Sequence, residues 1–355
     1  MTTETKLKSI YGCVLTNVAP ASNYRGETVG TRNVLQKLVL PSKELHTIVS
    51  AEAIRNRLRE MLRDDLPKNI NRSRIINSES DQLTVKFNDL PNRNKFADDM
   101  LFGFLMIDRS KKEKVKTGET EKQGDSMLRV NYALSIDSFP HHFNKTMHQS
   151  PVASNDSAYK NAGSSVPIER EVHVTAFQYP FGINLNDLRL LPKWDEKDEV
   201  ATKEKKRWIA LLLRAIGELN NVGGGHARTM YPFAPVSIVL RLTHRRAPEF
   251  DLYGFKTNVE ESQKELIESL KNGLLPAKEF YIGGKIVREN EVLRETLAAR
   301  KNGEHKNPEK LGKIVNVHPF ETSAEAIDAV VRDAGLLADT EIKELNGETQ
   351  NNERR

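Results

Sequence analysis

Three stretches of this chain bring together residue types that could do chemistry. The first is residues 220–231 (NNVGGGHARTMY), where Gly223, Gly224 and Gly225 are followed at once by His226 and Arg228. Glycines let backbone N–H groups approach a ligand and point at an oxyanion. With two donors beside them, they fit contact with a phosphate backbone. No Gly-Lys-Ser/Thr follows, so this is not a P-loop. The glycines also follow a predicted helix, whereas a dinucleotide fingerprint needs a strand leading into them. A helix C-cap explains one glycine well and three poorly. The second stretch is a predicted helix over residues 50–63 (SAEAIRNRLREMLR). Ser50 caps it, Ile54, Leu58, Met61 and Leu62 form its apolar stripe, and Arg55, Arg59 and Arg63 align on one side beside Arg57. Two readings stand for these arginines, a face for a polyanion and a solvated basic face paired in part with Glu. The third stretch is a long polar connection beginning at Asp137, which carries His141, His142, Phe143, Asn144, Lys145, Met147, His148, Gln149 and Lys160. These histidines and His173 invite a metal reading, but HHFNKTMH lacks HExxH and a fixed carboxylate. The same residues suit a nucleic-acid arm, with Phe or Met against a base and His, Lys and Gln on phosphate and sugar.

Nothing in the chain argues for an enzyme. There is no GxSxG and no supported Cys/His arrangement, and the pairs Asp64-Asp65 and Asp98-Asp99 read as surface residues on helices or turns. The single cysteine, Cys13, excludes an intramolecular disulfide framework and a multi-cysteine zinc site. It lies in a strand-like run and reads as a buried small hydrophobe. No metal and no cofactor are expected. In 355 residues, 54 Lys and Arg face 49 Asp and Glu, a net charge of +5. The sum hides basic-rich segments at residues 55–74 and 109–122, which fit a polyanion partner or a solvated surface. No run approaches the roughly 20 apolar residues of a membrane span, and residues 1–10 lack a secretory apolar region. A soluble, cytoplasmic protein without a membrane partner is expected.

The elements that must position these residues follow from periodicity. Strands are predicted over 7–18, 128–136, 171–181 and 234–243, and helices over 50–63 and 200–221. A polar loop spans 19–33, an extended segment 34–40, and residues 64–127 read as an insertion with a short strand (83–87), a helix (94–107) and a lysine-rich run. Beyond 243, helices are predicted near 260–270, 289–299 and 323–336, with a strand over 280–282 and a polar, fraying tail from 338. Without the insertions the order is βαββαβ, an α+β fold of the ferredoxin-like or RNA-recognition-motif kind. That topology serves many functions.

Four segments, in order, carry a family resemblance across residues 7–245: SIYGCVLTNVAPASNYRGETVGTRN, IVSAEAIRNRLREML, EREVHVTAFQYPFGIN and NNVGGGHARTMYPFAP. Together they resemble the backbone subunit of CRISPR Cascade, the Cas-seven type in its DevR ("autoregulator") branch, of a type I, I-B-like system. The resemblance implies a right-hand shape. Residues 1–63, 128–136 and 171–337 would form a modified RNA-recognition-motif palm, 64–127 the fingers and 137–170 the thumb, with 338–355 a flexible tail. It implies copies assembled in a helical filament along CRISPR RNA, each thumb crossing its neighbour and kinking the guide, beside other Cascade subunits. Target DNA would be read through the guide by base pairing. Ser22, Asn23, Arg25, Arg55, Asn56, Arg59 and residues 223–228 would hold guide phosphates, and the arm residues named above would form the thumb contacts. Type III relatives cleave RNA with an aspartate in the loop after the first strand. Here that loop, APASNYRGETVG, holds Glu27 as its one acid, so no RNase activity is expected. The alternatives are a type III-like ribonuclease subunit and a stand-alone RNA-binding regulator.

Overall fold

Alternation along residues 9–16 sets the architecture. Ile10 and Val14 fall on one side and Cys13 on the other, and all three are apolar, as a strand covered on both faces requires. The computed structural model describes residues 8–21, 24–29, 32–76, 83–105, 123–139, 144–151, 165–192, 194–195, 197–222, 231–303 and 316–347. In it this segment is β1 (Ser9–Thr16). There follow β2 (Ala19–Ala21), β3 (Tyr24–Val29), β4 (Arg32–Leu35), β5 (Lys37–Val39), β6 (Leu45–Val49), α1 (Ala51–Asp65), β7 (Arg72–Ile76), β8 (Leu83–Phe87), α2 (Ala97–Phe102), β9 (Phe104–Leu105), β10 (Gln123–Gly124), β11 (Leu128–Val130) and β12 (Ala133–Ser135). The second half holds β13 (Asn144–Pro151), β14 (Ser165–Thr175), β15 (Phe177–Asn184), α3 (Glu199–Gly217), β16 (Pro235–Thr243), α4 (Lys264–Lys271), β17 (Phe280–Gly284), α5 (Lys285–Glu289), α6 (Glu291–Lys301), β18 (His318–Phe320), α7 (Ser323–Asp333) and α8 (Asp339–Leu345).

The large sheet has the order β18-β17-β16-β1-β15-β12-β6-β5, with β11 also paired to β15. Of its pairs, β17–β18 is parallel and the others are antiparallel. The four strands anticipated from the sequence therefore lie side by side in the order fourth, first, third, second. The chain is a mixed α+β protein built on this sheet.

Both faces of the sheet are packed. On one, Ile10, Val14, Tyr179, Phe181, Ile238 and Leu240 meet Ile54, Leu58 and Leu62 of α1, Trp208 to Ile216 of α3, and Val330 of α7. Burying each such large side chain is worth about 1.5–3 kcal/mol. On the other, Cys13, Val239, Phe280 and Ile282 are covered by Phe255, α4, α5 and α6. Cys13 is fully buried, and its thiol donates to the Leu252 carbonyl (2.7 Å).

Several elements differ from expectation. The strand expected over 128–136 is broken between β11 and β12 at Asn131 and Tyr132, and both halves lie on β15. The strand expected over 171–181 is divided at Ala176 between β14 and β15, which belong to different sheets. Helix α3 ends at Gly217 with Glu218 as its C-cap, before the three glycines, because Leu219 and Val222 turn into the core. The tail begins as helix α8, with Ile342 buried and the Glu341 carboxylate accepting from the Ala338 N–H (3.0 Å). Among the described residues, no helix is long and apolar enough to cross a membrane.

Gly12 marks the tightest packing in β1. A Cβ there would fall 2.3 Å from the Phe181 ring and 2.9 Å from Leu240. Gly12→Ala is expected to cost about 1–3 kcal/mol through forced displacement of both neighbours, read as a lower urea midpoint with an unchanged m-value.

Candidate nucleic-acid interface

Because β15 and β16 both run antiparallel to β1, the C-terminal end of β1 lies beside the start of each. Leu15 faces Gln178 and Thr16 faces Pro235. Three of the segments singled out in the sequence leave the sheet at this end: residues 17–35, the arm that returns through β14, and the connection from α3 to β16.

A buried tyrosine joins them. The Tyr231 hydroxyl lies 2.7 Å from the Thr175 carbonyl, 3.0 Å from the Asn17 carbonyl and 3.3 Å from Thr16 Oγ1. Its ring packs against Phe177 and Phe233. Burial pushes this phenol up to about 12, so it stays protonated and donates. Beside it, a bridge between Asn220 and Pro232 and a bond from the Asn221 N–H to the Tyr231 carbonyl (3.3 Å) close a narrow neck. Arg57 grips the neck twice, with Nε on the Asn220 carbonyl (3.0 Å) and Nη2 on Asn220 Oδ1 (2.9 Å). The glycine segment, with Gly223, Gly224, Gly225, His226 and Arg228, leaves from this neck and lies outside the described residues.

The arm is a hairpin rather than an irregular loop. β13 pairs antiparallel with β14 from Asn144↔Val172 to Pro151↔Ser165. β14 also takes β4 in parallel and β2 antiparallel, and β3 completes a five-stranded sheet on β4. Arm and post-β1 loop are thus one structure, which puts Arg25 on β3 in the same sheet as Asn144, Lys145, Met147, His148 and Gln149 on β13. Ser22, Asn23, His141, His142, Phe143 and Lys160 lie outside the described residues.

The root of the arm is polar and buried. His173 Nδ1 shares a hydrogen bond with Thr47 Oγ1 (2.8 Å), and its ring meets Phe139 edge-on. Burial holds this imidazole below its ordinary range. The Glu171 carboxylate accepts from the Leu35 N–H (3.0 Å) and pairs with Lys37. Asp137 accepts from Thr257 Oγ1 (2.7 Å) and Thr175 Oγ1 (3.2 Å). Among the described residues, no group of three His, Cys, Asp or Glu side chains is placed to hold a metal ion.

The arginines of α1 fit neither reading in full, for they form the seam to residues 71–103. Arg55 donates to the Phe102 carbonyl, Arg63 to the Arg72 carbonyl (2.7 Å), and Arg59 lies over the Phe102 ring and 3.9 Å from Asp98. Asn56 bonds Glu60 (3.1 Å). Asp98 and Asp99, expected at the surface, are fully buried. The reason is local: Asp98 accepts the Asn71 and Arg72 N–H groups (2.8 and 3.0 Å), while Asp99 accepts Asn71 Nδ2 and the Asn92 N–H (both 2.9 Å). Two arginines, Arg59 and Arg72, crowd these two carboxylates, and Arg55 lies within electrostatic reach of Arg72. Burial and the neighbouring Arg72 bring Arg59 down to about 10.

Sequence reasoning passed over Tyr231, Asn220 and Asp98 as positioning residues. The apolar YPF at residues 231–233, just beyond the glycine-rich stretch, was the available signal for Tyr231. Asn220 and Asp98 carried none that could be read without their partners.

No family model matches the chain. A curated relative from Myxococcus xanthus (strain DK1622), described as CRISPR-associated protein Cas7/Cst2/DevR, is 30% identical over 294 residues, covering 80% of this chain and 90% of the relative. Two solved chains share the fold at 12% identity. One, from a CRISPR RNA-guided surveillance complex described as pre-nicking, has a TM-score of 0.55 and covers 92% of this chain and 100% of its own. The other, from a CRISPR RNA-guided surveillance complex, has a TM-score of 0.50 and covers 92% and 99%.

Tyr231→Phe keeps the ring packing and removes a donor that reaches the buried Thr175 carbonyl. It is expected to destabilise the chain by about 1–3 kcal/mol, measured by urea denaturation. An unchanged midpoint would show that the hydroxyl does not hold this junction.

Proposed function

Because this chain belongs to the CRISPR-associated Cas7/Cst2/DevR family, we propose that it is a backbone subunit of a type I Cascade complex, laid copy by copy along CRISPR RNA. One observation carries this reading. The post-β1 loop, the arm and the glycine connection, which the resemblance assigns to the guide, all leave the sheet at one end and are tied there by Tyr231, Arg57 and β14.

In this reading the four central strands with α1 and α3 are an RNA-recognition-motif-like palm, which the fourth-first-third-second strand order supports. Residues 64–127 are the fingers, and the β13–β14 hairpin is the stem of a thumb that reaches the next copy. The guide is held without regard to its sequence. Backbone N–H groups of residues 223–225, with Arg228, Arg25, Ser22 and Asn23, take phosphates, and base pairing is left to read the DNA. Arg55 and Arg59 act as an excess of positive charge over Asp98 and Asp99, steering the guide toward the end of β1. The arm residues Lys145, Met147, His148 and Gln149 serve the neighbouring copy and the guide between copies.

Guide binding is expected to fall uniformly across spacer sequences in Arg228→Ala, with the salt slope reduced by about one. Filter binding over a salt series with several spacers measures this, and a loss confined to some spacers would contradict phosphate recognition.

The role is also proposed to be non-enzymatic. Among the described residues, the carboxylates near the end of β1 in the chain or in space include Glu27 on β3, and Asp137, which lines a small cavity with Thr16, Asn17 and Glu289. The assembled complex is expected to leave complementary RNA intact in Mg²⁺. Site-specific cleavage lost in Glu27→Ala or Asp137→Asn would identify a ribonuclease instead.

A further inference from the structure

The covering layer does not reach the whole second face of the sheet. At the N-terminal end of β1, away from the neck and the arm, a groove of about 720 Å³ opens over Ser9, Tyr11, Gly182 and Arg129. This volume is within the range of small-ligand sites. Register explains the floor: Tyr11 pairs with Gly182, and Gly182 pairs on its other side with Arg129. Since Gly182 has no side chain, the Tyr11 ring rests against its backbone, 3.3 Å from where a Cβ would stand. Residues 246–253 make the far wall, with Phe250 and Tyr253 facing the groove. The Tyr253 hydroxyl donates across to the Tyr132 carbonyl (2.8 Å), which fastens that wall to the end of β11.

The rim is cationic. Arg129 is exposed opposite Gly182, and His244, Arg245 and Arg246 are consecutive exposed residues after β16. Among the described residues, neither Arg245 nor Arg246 forms an ion pair. Among the described residues that line the groove, Asp251 is the one carboxylate.

We propose that this groove is a second nucleic-acid site, taking one base and its phosphate from a single strand at a place separate from the guide end. An aromatic ring on an uncovered part of the sheet face stacks any base, since every base has a π face. Arginines on both sides of the ring supply phosphate contacts and add cation–π attraction to the stack. The floor is the Tyr11 ring beside Gly182, and Asn131, exposed at its edge, offers an amide to a base edge or a sugar hydroxyl.

The test uses the full chain as purified, with any guide it carries. Fluorescein-labelled pentamers of uridylate and of thymidylate are titrated at low salt by anisotropy. A pentauridylate carrying 5-iodouridine is then photocrosslinked and the modified peptides mapped. Binding is expected for one or both pentamers, with crosslinks on Tyr11 or Tyr253. Affinity should fall about tenfold in Tyr11→Ala, with recovery in Tyr11→Phe, and about tenfold in the exposed variant Arg246→Ala. Retention of the co-purified guide should be unchanged in all three. No pentamer binding, equal affinity in Tyr11→Ala and Arg246→Ala, or crosslinks confined to peptides outside the groove would overturn the proposal. So would groove variants that alter only self-association, which would make this face a contact between copies. Loss of the guide reading alone, with pentamer binding intact, leaves this site standing.

Discussion

The antiparallel placement of β1 between β15 and β16 is the constraint on which the rest depends. A strand flanked in this way has the ends of both neighbours beside its own, so each connection leaving that end starts within a few residues of the others. The residues proposed to hold phosphates are far apart in sequence, on either side of α1 and beyond α3. The sheet brings their segments together before any of those residues makes a contact. Tyr231 and Arg57 then prevent them from drifting apart, through bonds to backbone carbonyls that need a donor once water is excluded.

The two faces of the sheet are used differently. The face toward α1, α3 and α7 is a closed apolar core, and the precise fit around Gly12 shows how little slack it has. The other face is covered only in part, because the layer from Phe255 to α6 follows Cys13, Val239 and Phe280 and leaves Tyr11 at its edge. On the roles proposed above, one sheet carries two separate surfaces for charged polymers at opposite ends, one built on loops and the other on a ring and guanidinium groups.

Much of the frame was legible in the amino-acid order. Ser50 and the stripe of Ile54, Leu58 and Leu62 define α1 without help from the rest of the chain, and the alternation in β1 and β16 is equally local. What was not legible depended on partners distant in sequence. The segment NKTMHQSP has no strand alternation, and becomes β13 because β14 supplies a ladder opposite it. Asp98 and Asp99 look like surface acids until Asn71 and Arg72 present their N–H groups. The arginines of α1 look like a free basic face until Phe102 and Arg72 present their carbonyls. Tyr11 is an ordinary strand tyrosine until register sets it beside a glycine.

β14 has a mechanical consequence. It runs unbroken from Ser165 to Thr175, and a single residue, Ala176, separates it from the central strand β15. It behaves as a cantilever clamped at the sheet, and β2 and β4 are bonded along its length. Load applied to the hairpin is shared with the post-β1 segment through these ladders. A force on the arm is felt at the end of β1, and a ligand that stiffens the loop there also aims the arm.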